Sequence, residues 1–130
     1  VQQVFDEVYQ ALEDEGRFLF DVHSIYQVDT VFPEYSYHYQ NDRFAFLWDS
    51  YPGKEKHSIE HFLTFFVEDP QGSGTFIRED ELHQEQTYSL DNYLRMLENS
   101  GFSKVEAYAD FTDDQPSEET KRLFFVAYKE

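Results

Sequence analysis

Between Tyr35 and Glu85 the side chains alternate in character at nearly every step, and this stretch restricts the fold more than any other feature. Tyr35, Tyr37 and Tyr39 alternate with Ser36, His38 and Gln40, and Phe44, Phe46 and Trp48 alternate with Arg43, Ala45 and Leu47. Farther on, Ile59, His61, Leu63, Phe65 and Val67 fall on one side of a segment. Its other side carries Glu60, Phe62, Thr64, Phe66 and Glu68, and beyond it Phe76 and Arg78 alternate with Ile77 and Glu79. A period of two belongs to a strand, whose successive side chains point to opposite faces. The interruptions are turn-like: Asn41-Asp42, Tyr51-Pro52-Gly53-Lys54 and Asp69-Pro70-Gln71-Gly72-Ser73-Gly74. Four strands joined by short turns predict an antiparallel meander.

The flanks read differently. Val4, Val8, Ala11 and Leu12 recur at helical spacing with Phe5 and Tyr9 beside them, which predicts a helix over residues 4–15 with Gly16 as its C-terminal cap. The chain begins without Met and almost directly inside this helix, which points to residues upstream. The run Phe18-Leu19-Phe20 then predicts a strand over Arg17–His23, buried on both faces of a parallel sheet. After the meander, Ser89 is a good N-cap and Asp91 suits the positive end of a helix dipole. Leu90, Tyr93, Leu94 and Leu97 form the apolar stripe, and Gly101 followed by Phe102 fits a C-terminal cap. Val105, Ala107 and Ala109 alternate, predicting a strand over residues 104–111. A polar loop over 113–119 holds Pro116, and residues 122–129 predict a final buried strand. The architecture is α/β, or α+β taken on this stretch alone, and no internal repeat is present.

Charge narrows the partners. Of 130 residues, 27 are acidic and 10 basic, for a formal charge of -17. Phosphate contacts need Lys and Arg, so no nucleic acid and no anionic membrane surface is expected. Disorder is excluded by fourteen Phe and ten Tyr, too many large apolar groups for a chain without a core. The absence of cysteine removes disulfides, thiolate zinc sites and cysteine nucleophiles, and fits a reducing, cytoplasmic location. No apolar run approaches the roughly 20 residues that span a bilayer.

Motifs with chemistry in them mostly have plain readings. His57-Ser58-Ile59-Glu60-His61 matches the H-x-x-E-H of some zinc peptidases, but that chemistry needs a helix. In a strand the two histidines lie roughly 13 Å apart, too far for one zinc, so no metal is expected. Gly72-Ser73-Gly74 lacks the Lys-Ser or Lys-Thr and the following helix of a phosphate loop, and reads as a hairpin turn. Asp21 and His23 end the Arg17–His23 strand with side chains on one side. Ligands of open α/β sheets lie beyond the carboxyl ends of strands, so both are substrate-site candidates, against the plainer reading of a capped strand end. Trp48 on the aromatic face, Arg78 among acids, and His83 and Tyr88 near the start of the second helix complete the candidate set. Each has a packed or solvated alternative. No residue announces itself as catalytic, and no G-x-S-x-G is present.

Three stretches together resemble a known family. They are Val8-Tyr9-Gln10-Ala11-Leu12-Glu13-Asp14-Glu15-Gly16-Arg17-Phe18-Leu19-Phe20-Asp21-Val22-His23-Ser24, then Tyr88-Ser89-Leu90 through Gly101-Phe102, and Arg122-Leu123-Phe124-Phe125-Val126-Ala127-Tyr128-Lys129. The chain resembles the C-terminal half of a class I S-adenosylmethionine-dependent methyltransferase, of a bacterial group with an antiparallel insertion after the fifth strand. The resemblance implies a Rossmann-like sheet ordered 3-2-1-4-5-7-6, with Arg17–His23 as its fifth strand and residues 122–129 lying between it and residues 104–111. It implies a core made of residues 1–34 and 87–130, and a substrate lid over 35–86. S-adenosylmethionine would be bound mainly by a glycine-rich loop upstream of Val1, so this chain supplies no cofactor-binding residue and alone is inactive. Gln86 stands where similar proteins often carry Arg. The acceptor would be a small molecule or a protein, and the edge left bare beside Phe18-Leu19-Phe20 would favour a homodimer. The competing reading is a non-enzymatic α+β binding module for an apolar ligand or partner protein. Binding of S-adenosylmethionine by a chain extended upstream separates the two.

Overall fold

Two antiparallel sheets carry the chain. The computed structural model describes residues 1–72 and 74–130, and the elements run α1 (Gln2–Ala11), β1 (Arg17–His23), a π-helical turn (Gln27–Val31), β2 (Ser36–Gln40), β3 (Phe44–Pro52), β4 (Ser58–Glu68), β5 (Phe76–Gln86), α2 (Leu90–Ser100), β6 (Lys104–Ala109) and β7 (Arg122–Tyr128). The chain divides into two compact units: unit 1 is Val1–Gln27 with Thr87–Glu130, and unit 2 is Val28–Gln86. Ser73 of the expected Gly72-Ser73-Gly74 turn lies outside the described residues.

In unit 1 the strand order is β1-β7-β6, with β7 antiparallel to both neighbours. This is the neighbour order the family resemblance implied. Alternation in β7 sets the core: Leu123, Phe125 and Ala127 are buried, with Phe5 of α1, Tyr93 and Leu97 of α2, and Phe102 packed around them. Phe125 is 1% exposed and stacks on Phe20 with ring centroids 4.8 Å apart. Helix α2 has the predicted caps. Ser89 accepts a hydrogen bond from the Asn92 N–H, and Gly101 takes the left-handed conformation at φ 115°. Glycine is required there twice over, because a Cβ would also meet the Tyr9 ring at 2.8 Å.

Two expectations for this unit are corrected. Within this chain β1 is not buried on both faces: it pairs antiparallel with β7, and only Phe18, Phe20 and Val22 face the core. Leu19 is 66% exposed, because the pleat sends it to the face opposite the helices. Helix α1 ends at Ala11 rather than residue 15, and Leu12 is already extended. The left-handed position falls on Glu15 (φ 65°), and the Gly16 N–H turns back to the Glu13 carbonyl. The buried helix residue is Phe5, while Val4 is exposed, since the larger ring takes the inward position.

Unit 2 is the predicted meander, ordered β2-β3-β4-β5, every neighbouring pair antiparallel. Its register fixes two faces. On one, Tyr37 pairs with Trp48, Tyr39 with Phe46, Phe46 with Phe65, and Phe65 with Glu79. On the other, Asp49 pairs with Phe62, Phe62 with Leu82, and Phe66 with Arg78. A small core of Val28, Phe32 and Ile59, with Trp48 against it, closes one end of the first face.

Candidate functional site

Of the six candidates, the structure joins two directly. Asp21 and His23 sit on one side of β1, and Arg122, directly across from His23 in β7, reaches both: its Nη1 donates to Asp21 Oδ2, and its Nη2 lies 3.0 Å from His23 Nε2. The Asp21–Arg122 pair is over a third exposed on each side, so its contribution to stability is small. At the same end of unit 1, buried Thr87 donates to the His23 carbonyl at 2.7 Å, and its hydroxyl lies 2.8 Å from the Tyr93 hydroxyl. Tyr88 stands edge-on to Tyr93, centroids 5.8 Å apart. Asp21, His23 and Tyr88 thus belong to one end of unit 1, where β1 stops and α2 begins.

Trp48, Arg78 and His83 belong to unit 2, and its two faces separate them. Arg78 lies on the face opposite Trp48, 6.0 Å over the Phe66 ring, and its Nε donates to Asp80 at 3.1 Å. The hydrogen bond from Arg78, and then one from Thr64, hold the Asp80 carboxyl below its usual range. This face carries an open cavity of about 410 Å³ walled by Phe62, Thr64, Arg78, Asp80 and Leu82. His83 is across from His61 on the Trp48 face, with its Nε2 2.8 Å from Glu81.

A polar cluster joins Trp48 to residues outside the candidate set. The Trp48 indole N–H points at Ser50 Oγ (2.9 Å) and His61 Nδ1 (3.1 Å), Ser50 Oγ is 2.7 Å from the same nitrogen, and His61 Nε2 is 3.2 Å from Glu85. Indole can only donate, so Nδ1 is the bare nitrogen. The Ser50 hydroxyl then donates to it, and the imidazole proton sits on Nε2 facing Glu85. The order serine, histidine, carboxylate resembles a hydrolase triad, but Ser50 is 1% exposed and is no nucleophile for an outside substrate. What the relay does is fix the Trp48 ring. Ser50 and His61 are direct cross-strand partners, so only the register brings them together. His57, the other histidine of the H-x-x-E-H stretch, points elsewhere and sits 2.6 Å from Asp29. Among the described residues no group of three or more His, Asp or Glu is placed to hold a metal. A second open cavity of about 430 Å³, near the β3–β4 turn, is lined by Lys54, Glu55, Glu60, Gln84, Glu85 and Gln86 among others. No helix of the described residues is long and apolar enough to cross a membrane.

The three-stranded β1-β7-β6 order backed by helices, with a meander inserted between β1 and α2, is the architecture of the C-terminal half of an S-adenosylmethionine-dependent methyltransferase. A solved S-adenosylmethionine-dependent methyltransferase from Clostridium acetobutylicum ATCC 824 superposes with a TM-score of 0.82, at 21% identity, over 98% of this chain and 50% of that one. CalS10 from Micromonospora echinaspora, an amino pentose methyltransferase solved with S-adenosylmethionine bound, matches at TM-score 0.67 and 11% identity, over 99% of this chain and 50% of its own. In sequence, a Geobacillus sp. (strain WCH70) protein provisionally named a methyltransferase is 43% identical over 129 residues, which is 99% of this chain and 51% of that protein. YqeM of Bacillus subtilis (strain 168), named in the same provisional way, is 37% identical over 129 residues, with the same coverage. The chain therefore spans about half the length of the curated relatives it matches. No family model matches it.

Proposed function

We propose that the chain is the substrate-side part of an S-adenosylmethionine-dependent methyltransferase acting on a small molecule or a protein. The observation that carries this is the 43% identity, held across 129 residues, to a protein provisionally named a methyltransferase. The cofactor's own contacts belong elsewhere in the parent. The chain's glycines are Gly16, Gly53, Gly72, Gly74 and Gly101, and none stands in a turn leading from a strand into a helix. Residues 1–34 and 87–130 then serve as methyltransferase core, and residues 35–86 as a lid over the acceptor. When bound, the cofactor supplies a methyl group already activated on sulfonium, so the work left to this chain is to orient the acceptor and keep water out. The end of unit 1 holding Asp21, His23 and Tyr88, and the Trp48 face of unit 2, are the surfaces suited to that. A reducing cytoplasm suits a chain without cysteine.

Calorimetry tests the reading. The full-length protein should bind S-adenosylmethionine in the micromolar range, while these 130 residues alone bind it weakly or not at all and show no transfer activity. A full-length protein that ignores S-adenosylmethionine leaves the binding-module alternative standing. The same proposal includes a homodimer through β1. Among the described residues β1 pairs only with β7, and exposed Leu19 lies in that strand. Sedimentation of the wild type against Leu19→Lys checks it, with less association expected for the variant.

A further inference from the structure

We propose that the Trp48 face of the meander docks a basic, extended polypeptide segment, its Lys or Arg side chains lying over the rings and against the carboxylates of β5. The inference deepens the methyltransferase reading by choosing a protein acceptor. Four observations support it.

The first is a continuous aromatic sheet surface. Tyr37, Tyr39, Phe44, Phe46 and Phe65 touch in sequence, with centroids 5.5 to 6.1 Å apart. Aromatic faces carry partial negative charge and attract ammonium and guanidinium groups. The second is what borders them. Glu79 is across from Phe65 and Glu81 across from Leu63, so both carboxylates stand on the same face as the rings. The third is the sign of the charge. No strand residue on this face is Lys or Arg: Arg78, in the adjacent β5 position, points to the other side over Phe66. A chain of charge -17 steers cations toward such a surface, and the acidic border of this face disfavours an acidic partner on it. The fourth is shape. The core of Val28, Phe32 and Ile59 closes only one end, while Tyr37, Tyr39, Val67 and Ile77 stay 43 to 47% exposed. An open sheet face leaves much of a small amine in water, since small-ligand sites are concave. It suits a strand-like segment, whose alternate side chains repeat at about 6.8 Å and can span several strand rows at once.

The test uses this 130-residue chain and an octapeptide alternating Lys and Thr, with a Gln-Thr peptide and tetramethylammonium as comparators. Titration followed by backbone amide shifts should move β2 to β5 residues of this face. Raising salt from about 20 to about 200 mM should weaken the Lys-Thr peptide at least about ten-fold. Glu79→Gln with Glu81→Gln should weaken it by about the same factor, and so should Tyr39→Leu with Phe46→Leu. Glu118→Gln with Glu119→Gln, in the loop before β7, should leave it unchanged. Circular dichroism of each variant confirms that it folds. Four results would overturn the proposal: no binding, equal binding of the Gln-Thr peptide, shifts that map off this face, or equal weakening by the control pair. Tetramethylammonium saturating the same shifts at the peptide's concentration would overturn it too, replacing polypeptide docking with a small-cation site. None of these results depends on S-adenosylmethionine, so failure here leaves the methyltransferase reading to its own calorimetric test.

Discussion

The two units put their aromatic residues to opposite uses. In unit 1, Phe5, Phe18, Phe20, Phe102 and Phe125 pack ring against ring between two helices and a sheet. In unit 2, Tyr37, Tyr39, Phe44, Phe46 and Phe65 also pack ring against ring, but across strands and partly in contact with solvent. Helices make the difference: α1 and α2 lay apolar faces against β7, and among its described residues unit 2 has a π-helical turn but no α-helix. A sheet without a covering layer still gains roughly 0.2–1 kcal/mol from each cross-strand aromatic pair, so the rings stabilise the ladder while staying available to a partner. Stability and recognition are thus divided between the units, and that division can be measured.

The sharpest test pairs one ring from each unit. Phe125→Ala should cost about 3–5 kcal/mol in urea denaturation, because it opens a cavity in a closed core. Tyr39→Leu should cost less than about 1 kcal/mol, since it loses only cross-strand contact. Equal costs would end the contrast. A smaller effect should mark the one polar spot where unit 2 does behave as a core. Ser50→Ala removes one of the two donors to His61 Nδ1 and one of the two acceptors of the Trp48 indole, and should cost about 1–1.5 kcal/mol, with a shift in Trp48 fluorescence as the indole environment changes. Smaller again, Ser89→Ala removes the α2 cap and should cost about 1 kcal/mol, read as a lower thermal midpoint of unit 1.

The smallest effect is one of pH. Hydrogen bonds from Ser100, then Gln2, hold the Asp6 carboxyl below its ordinary range. The folded state therefore binds this proton more weakly than the unfolded chain. The stabilisation is complete above the ordinary carboxylate value and is lost as pH falls through the lowered one. Ser100→Ala should make the urea midpoint less sensitive to acidification below about pH 4. An unchanged acid dependence would show that this link between α1 and α2 contributes nothing.

What could be read from sequence follows the same line between local and distant causes. The meander was legible because alternation is a property of each strand alone, and α2 was legible because Ser89 and Gly101 cap it from within their own turns. α1 was read too long because Ala11, Leu12 and Gly16 imitate a helix end. The choice between Val4 and Phe5 as the inward residue depends on what lies opposite. β1 was read as doubly buried because Phe18-Leu19-Phe20 is continuous, and only pairing with β7 shows that Leu19 faces out. At the candidate site, Asp21 and His23 were legible as neighbours two apart on a strand. Arg122, which connects them, is about a hundred positions away. The Trp48–Ser50–His61 relay had no sequence signal, since it exists only in one register of β3 against β4.

The pairing of β1 with β7 has a consequence for the order in which the molecule can assemble. Arg17 lies across from Tyr128, so the sheet of unit 1 joins two strands about a hundred positions apart. During synthesis β1 waits through about a hundred residues before β7 follows it. The strands of unit 2 each pair with the next one along, and loop closure between near neighbours is fast. The meander can therefore close before β7 joins β1. The seven-residue strand Arg122–Tyr128 closes the sheet of unit 1 between β1 and β6. A nascent chain halted before Arg122 would present a finished meander tethered to an unclosed core, with Phe18 and Phe20 offered to chaperones rather than to Phe125.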